Sequence, residues 1–213
     1  MTTFYETQEK CPVCANDVTI SHLTSTNYFG QHSDFHRMTM GFSPLPLLMN
    51  TCPQCGYSGS DKAFAEPEAM SSHFKQQIIE KLQPIVISQP LTAGRRYELF
   101  ALQEELRGAS AYEMADYYLR ASWAARDEGD MNEPNYQRHA ATFFQKALEN
   151  SELNEADEGI VTYMTGELHR RLGDTDTATH WFTRVIDRAK HDPSWQRLAE
   201  LAQRQHETPR NTI

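Results

Sequence analysis

Four cysteines constrain this chain more than any other feature, and they are the only four in 213 residues. Cys11 and Cys14 stand in CPVC, and Cys52 and Cys55 in CPQC. A two-residue gap lets both sulfurs of a pair face one centre, and two such pairs supply the four thiolates of a tetrahedral Zn²⁺. The competing readings are two disulfides or a redox dithiol. A disulfide needs an oxidising compartment, and the N-terminal MTTFYETQEK has neither the basic start nor the apolar run of a secretory peptide. A redox pair usually stands alone after a strand in a βαβ pattern, which is not seen here. Structural zinc on Cys11, Cys14, Cys52 and Cys55 is therefore expected. With all four positions filled by sulfur, no site is left open for catalytic water. In the second pair Gly56 follows the last cysteine and suits the positive φ of the turn, with its N–H approaching a sulfur. The first pair has Ala15-Asn16 there, and Asn16, more tolerant of positive φ, is expected to carry the turn.

Charge narrows the partners. The chain carries a formal charge of −9, and residues 1–65 hold three basic against five acidic side chains. A zinc ribbon reading nucleic acid normally shows a basic face, so that reading is the weaker alternative. No run approaches the 18 or so apolar residues of a membrane span, and the expected location is the cytoplasm.

Residues 8–65 read as a small β-rich zinc-ribbon-like domain. Val18–Leu23 is a strand candidate, the stretch with Phe35, Met38, Met40 and Phe42 a less regular one, and Leu47–Thr51 leads into the second cysteine pair. So small a unit buries little, and metal is expected to supply on the order of 10 kcal/mol of its folding energy. Between the pairs, His32, Asp34 and His36 alternate and would share one face of a strand. A solvated polar edge of a connecting loop is the expected reading, with a second metal or hydrolytic site as the alternative.

Residues 66–207 read as helical throughout. Helices are expected over 67–82, 93–107, 110–128, 134–149, 155–172, 175–190 and 193–206, the first opening at Glu66-Pro67-Glu68. Gly166, Gly173, Ala178, Phe182 and Pro193 fall in the order of a tetratricopeptide repeat, in which small residues let two antiparallel helices cross and an aromatic fills the gap. Ser122, Gly129, Ala140 and Phe144 give an earlier copy with a longer turn. The fold class is thus mainly α: a β-rich zinc ribbon followed by a tetratricopeptide-like array.

CPVC, the HSDFH segment, CPQCGY, Phe64 and the helices with tetratricopeptide character together resemble a bacterial family, domain-of-unknown-function family 2225. The resemblance spans roughly residues 8 to 190. It implies a metal-binding cytoplasmic protein and carries no established activity.

No nucleophile elbow, P-loop, HExxH or dinucleotide loop occurs, so no enzymatic role is expected, although an unrecognised site remains the alternative. The expected function is a protein-interaction adaptor. The repeat register puts Ile160, Tyr163, Glu167, Arg170 and Arg171 on one groove-facing surface, and Asp116, Leu119, Trp123, Arg126 and Asp127 on the earlier copy. Of these, Trp123, Arg126, Tyr163, Arg170 and Arg171 are the expected partner-binding residues: arginine grips carboxylates and the aromatics offer apolar contact.

Overall fold

A computed structural model describes residues 1–213. The N-terminal part contains strands β1 (Thr3–Lys10), β2 (Asp17–Ser25), β3 (Tyr28–Gln31), β4 (Arg37–Thr39), β5 (Asn50–Thr51) and β6 (Ser58–Gly59), with short helices α1 (Leu45–Leu48) and α2 (Asp61–Ala65). They form three two-stranded sheets, β1-β2, β3-β4 and β5-β6. Seven longer helices follow: α3 (Ser72–Ser88), α4 (Ala93–Leu106), α5 (Ala111–Glu128), α6 (Glu133–Glu149), α7 (Glu155–Arg171), α8 (Thr175–Ala189) and α9 (Gln196–Glu207). None of them is long and apolar enough to cross a membrane.

Six of these helices lie within three residues of their expected bounds, and the exception is instructive. α3 opens at Ser71, whose hydroxyl accepts from the Phe74 N–H, and not at Glu66-Pro67-Glu68. A satisfied N-cap outweighs a favourable acidic first turn. The helix then runs through Pro84, past its expected end at 82. Strand β1 was not anticipated: TFYETQEK has little apolar alternation, and pairing with β2 creates it.

The chain divides into two compact units that interleave in sequence: Met1–Phe29, Thr39–Ala109 and Tyr117–Tyr136 in the first, Gly30–Met38, Ser110–Asp116 and Gln137–Ile213 in the second. The expected boundary at 65/66 does not coincide with this division, and the core of the first unit shows why. Val18, Ile20, Tyr57 and Phe64 of the β-rich part form one buried cluster with Ile78, Leu82 and Val86 of α3 and Leu99 of α4. The ribbon therefore borrows its core from helices that follow it, because one hairpin and four strands of two to four residues have too little apolar surface to close one alone.

In the second unit α7 and α8 pack as an antiparallel pair. A Cβ on Gly166 would stand 2.8 Å from the Phe182 ring and 3.1 Å from the Trp181 Cβ, so only glycine permits this crossing. The small residue and the aromatic that fills the space are the pair marked in the sequence. Asp174 caps α8 by accepting from the Thr177 N–H, directly after Gly173 ends the preceding turn at φ 82°.

Candidate functional site

Each cysteine pair sits in the same turn. The first cysteine's N–H donates to the carbonyl five residues on, and its own carbonyl accepts from the N–H four residues on: Cys11 with Asn16 and Ala15, Cys52 with Tyr57 and Gly56. This turn forces the residue four on into the left-handed region. Gly56 takes it at φ 82° and Ala15 at φ 60°. The expectation that Asn16 would carry the turn is thus corrected. Asn16 is one place too late, and its side-chain amide instead donates to the Cys14 sulfur at 3.3 Å. Gly56 N–H bonds the Cys52 carbonyl and not a sulfur. Gly56 is also needed for space, since a Cβ there would lie 2.7 Å from the Leu82 Cβ of α3.

The four sulfurs converge. Cys11 and Cys55 stand 3.6 Å apart, as do Cys14 and Cys52, and all four lie within 4.8 Å of one another. A disulfide would need about 2.05 Å, and all four cysteines are free. A tetrahedron of sulfurs at about 2.3 Å from a central ion has edges of about 3.8 Å, which this cluster fits. Its electrostatics ask for a cation. Hydrogen bonding with Cys11, and then with Cys55, holds the Cys52 thiol down at about 2. The contact with Cys52 pushes Cys11 up to about 12, and contacts with Cys11 and Cys52 push Cys55 above the ordinary thiol range. Four thiols this close cannot all ionise unless positive charge sits among them. The cluster can hold a metal ion.

Polar side chains brace the site. The Asn50 amide, buried, accepts from the Ser21 N–H at 2.8 Å and donates to the Ser21 carbonyl at 3.2 Å, acting as an added strand against β2. Thr51 and Ser58 hydroxyls meet at 2.8 Å across β5-β6, and Gln103 of α4 accepts from the Ser58 N–H at 3.1 Å.

The second unit contains a buried ionic cluster. The segment His32–His36 lies against α7 in a tight turn, with Phe35 at φ 64°. The His32 N–H donates to the His36 carbonyl at 2.8 Å. Ser33 and Asp34 are fully buried. Ser33 Oγ donates to Glu167 at 2.6 Å, and Tyr163 OH donates to the Ser33 carbonyl at 3.0 Å. Glu167, itself fully buried, takes two bonds from Arg170 at 2.8 and 2.7 Å and one from Arg171 at 2.7 Å. Arg171 also pairs with Asp34 at 3.5 Å. Two acids and two arginines thus neutralise one another. Residues near the C-terminus close the arrangement: the Asn211 carbonyl accepts from the Ser33 N–H at 3.0 Å, and its side-chain oxygen accepts from Arg170 at 3.0 Å.

The family model for uncharacterised proteins conserved in bacteria, DUF2225, matches residues 4–208. The chain belongs to this family. No curated protein and no solved structure matches it. In this DUF2225 protein the five residues expected to meet a partner are engaged within the chain. Tyr163 is fully buried, with its ring 5.4 Å from Phe35 and 5.8 Å from Phe182. Burial raises its hydroxyl above the ordinary tyrosine range. Arg170 and Arg171 are committed to Glu167, and Arg126 donates to Glu133 at 2.7 Å. Trp123 is half-buried and lies with Arg126 in the first unit, while the other three belong to the second. The expected solvated edge at His32, Asp34 and His36 is likewise corrected, because the arginines of α7 draw Asp34 inward. Glu167 with Arg170 and Arg171 three and four places on was legible as a helical ion-pair pattern. Ser33, Asn50, Gln103 and Asn211 gave no signal, since each acts across a long stretch of chain.

Proposed function

We propose that this DUF2225 protein is a cytoplasmic adaptor, its β-rich part fixed by structural Zn²⁺ and its tetratricopeptide-like helices engaging a peptide segment of a partner protein. One observation carries this reading. The face of α7 already holds a tight turn of the same chain, His32–His36, by burying its backbone and a carboxylate against Tyr163, Glu167 and Arg171. A surface that accommodates a peptide in this way is built for backbone recognition.

Beside that segment lies a cleft of about 690 Å³, lined among others by Phe35, Ile160, Leu198, Leu201, Arg197 and Arg204. Ile160 is 42% exposed. Arg197 and Arg204 are exposed and lie two turns apart on one face of α9, with Glu200 between them. An apolar floor flanked by two arginines against one glutamate suits a peptide with one or two large apolar side chains and an acidic flank. The partner-binding role first assigned to Arg170 and Arg171 passes to Arg197 and Arg204 in this reading. Zinc is the metal of choice because four thiolates and a closed tetrahedron favour it over harder ions.

Two measurements test the proposal. Elemental analysis of the purified chain is expected to give one zinc per molecule; metal-free protein with oxidised cysteine pairs overturns the zinc reading. Affinity purification from the host, quantified by mass spectrometry, is expected to give proteins depleted at least about tenfold by Ile160→Asp with Arg197→Glu. The same proteins in the same amounts from wild type and a normally folded double variant would sink the groove.

A further inference from the structure

Strand β1 has one partner, β2, and its other edge is free. Which backbone groups face that edge follows from two bonds. In an antiparallel pair, residues alternate between exchanging hydrogen bonds with the partner and pointing away from it. Cys11 N–H bonds Asn16, which fixes the phase at one end. Ser21, opposite Glu6, turns its N–H and carbonyl away from β1 to meet Asn50. Both observations give the same phase: on β1, Phe4, Glu6, Gln8 and Lys10 point their backbone groups outward. The outer edge of β2 is capped by Asn50, whereas no backbone hydrogen bond reaches the outer edge of β1. Natural sheets rarely leave so long an edge uncovered.

The edge is also apolar at one end. Phe4 is 48% and Tyr5 58% exposed. Tyr28, Met40 and Phe42 are exposed as well. The Phe42 carbonyl accepts from Thr2 Oγ1 at 2.6 Å, which places that patch at the same end of β1.

We propose that the free edge of β1 pairs antiparallel with β1 of a second copy, joining two hairpins into one four-stranded sheet. The sequence of the edge selects the occupant. A symmetric pair must oppose outward-facing residues to one another, so only certain registers are allowed. One of them sets Phe4 opposite Lys10, Tyr5 opposite Glu9, Glu6 opposite Gln8, and Thr7 opposite its own copy. It keeps residues 4–10 of both strands in contact and opposes no like charges. It also stacks an aromatic against an ammonium stem at each end. The next register toward the N-terminus opposes Glu6 to Glu6, and the next in the other direction leaves Phe4 and Tyr5 unpaired. The favoured register brings Phe4 of one copy beside Lys10 of the other, next to its first cysteine turn, where the apolar patch gains cover that the strand pair alone would not provide.

Analytical ultracentrifugation of the metal-loaded full chain tests this. The wild type is expected to dimerise reversibly below a concentration on the order of 100 µM. Gln8→Pro removes one outward N–H while fitting an edge strand, and is expected to weaken association at least about tenfold at an unchanged melting temperature. Thr7→Cys gives an independent readout through the two-fold axis. It is expected to form an inter-chain disulfide under mild oxidation at least about tenfold faster than Gln8→Cys, which the register sets opposite Glu6 and not itself. A wild type that stays monomeric throughout overturns the proposal. So does a dimer that tolerates Gln8→Pro and cross-links no faster through Thr7→Cys, since it would use another surface.

Discussion

At the scale of single residues, two cases show how backbone geometry and burial set the cost of a change. Ala15 holds a left-handed conformation that costs an L-residue with a Cβ about 1 kcal/mol. Ala15→Gly is expected to leave metal stoichiometry unchanged and shift stability by less than about 1 kcal/mol, upward, because relief of strain is partly offset by the freer unfolded chain. Gly56→Ala is expected to do the opposite and more. It adds strain at φ 82° and drives a Cβ into Leu82, so a loss of about 2 kcal/mol or more is expected in denaturant titration. Arg171 is the second case. Exposed arginines contribute little to stability, but this one leaves Glu167 and Asp34 buried and under-compensated when removed. Arg171→Ala is expected to cost about 3–5 kcal/mol, read as a lower melting temperature by calorimetry, whereas Arg197→Ala on the exposed face should shift it by less than about 0.5 kcal/mol.

At the scale of elements, the cysteine cluster and α3 are one structure. Leu82 touches Gly56, and Ile78 and Leu82 share their core with Cys52 and Cys55. Removing a metal held there would therefore reach beyond the strands. Chelation is expected to expose amides of β5, β6, α3 and α4 in hydrogen exchange while α7, α8 and α9 keep their protection. Retention of full protection in α3 would mean that the helix pair stands without the ribbon. Acid acts through the same cluster. Metal binds thiolates, and Cys11 and Cys55 keep their protons above the ordinary thiol range until the ion displaces them. Binding thus releases protons, and affinity must rise with pH and fall on acidification. Competition with a chromogenic chelator is expected to show at least about tenfold weaker retention for each unit below neutrality. A pH-independent affinity would mean that the sulfurs are already ionised.

At the scale of the molecule, the two compact units interleave in sequence, because segments distant in the chain satisfy one another's buried polar groups. Ser33 meets Glu167 and Asn211 across more than a hundred residues. The second unit is thereby completed by a stretch drawn from between the two cysteine pairs. Asp34→Asn is expected to leave metal binding intact while lowering the stability of the helical unit by about 1–3 kcal/mol, seen as an earlier thermal transition with unchanged zinc content. A transition at the wild-type temperature would show that Asp34 contributes nothing to holding the segment.

The sequence by itself determined the four cysteine positions of the candidate metal site, the number of long helices and the close crossing at Gly166 and Phe182. Each of these is local: a spacing of two, a period of 3.6, a small residue beside an aromatic. What the tertiary structure decided was the environment of each side chain. The helical register correctly put Tyr163, Glu167, Arg170 and Arg171 on one face of α7, yet no periodicity reveals what lies against that face. Ser33 and Asp34 fill it, and they turned a presumed open surface into a buried, charge-balanced one. Likewise the spacing of Cys52 and Cys55 announced a turn, but the close approach of Leu82 to Gly56 joined that turn to a helix. Local rules fix which conformations a segment favours; long-range complementarity of charge and volume fixes which of its faces meet water.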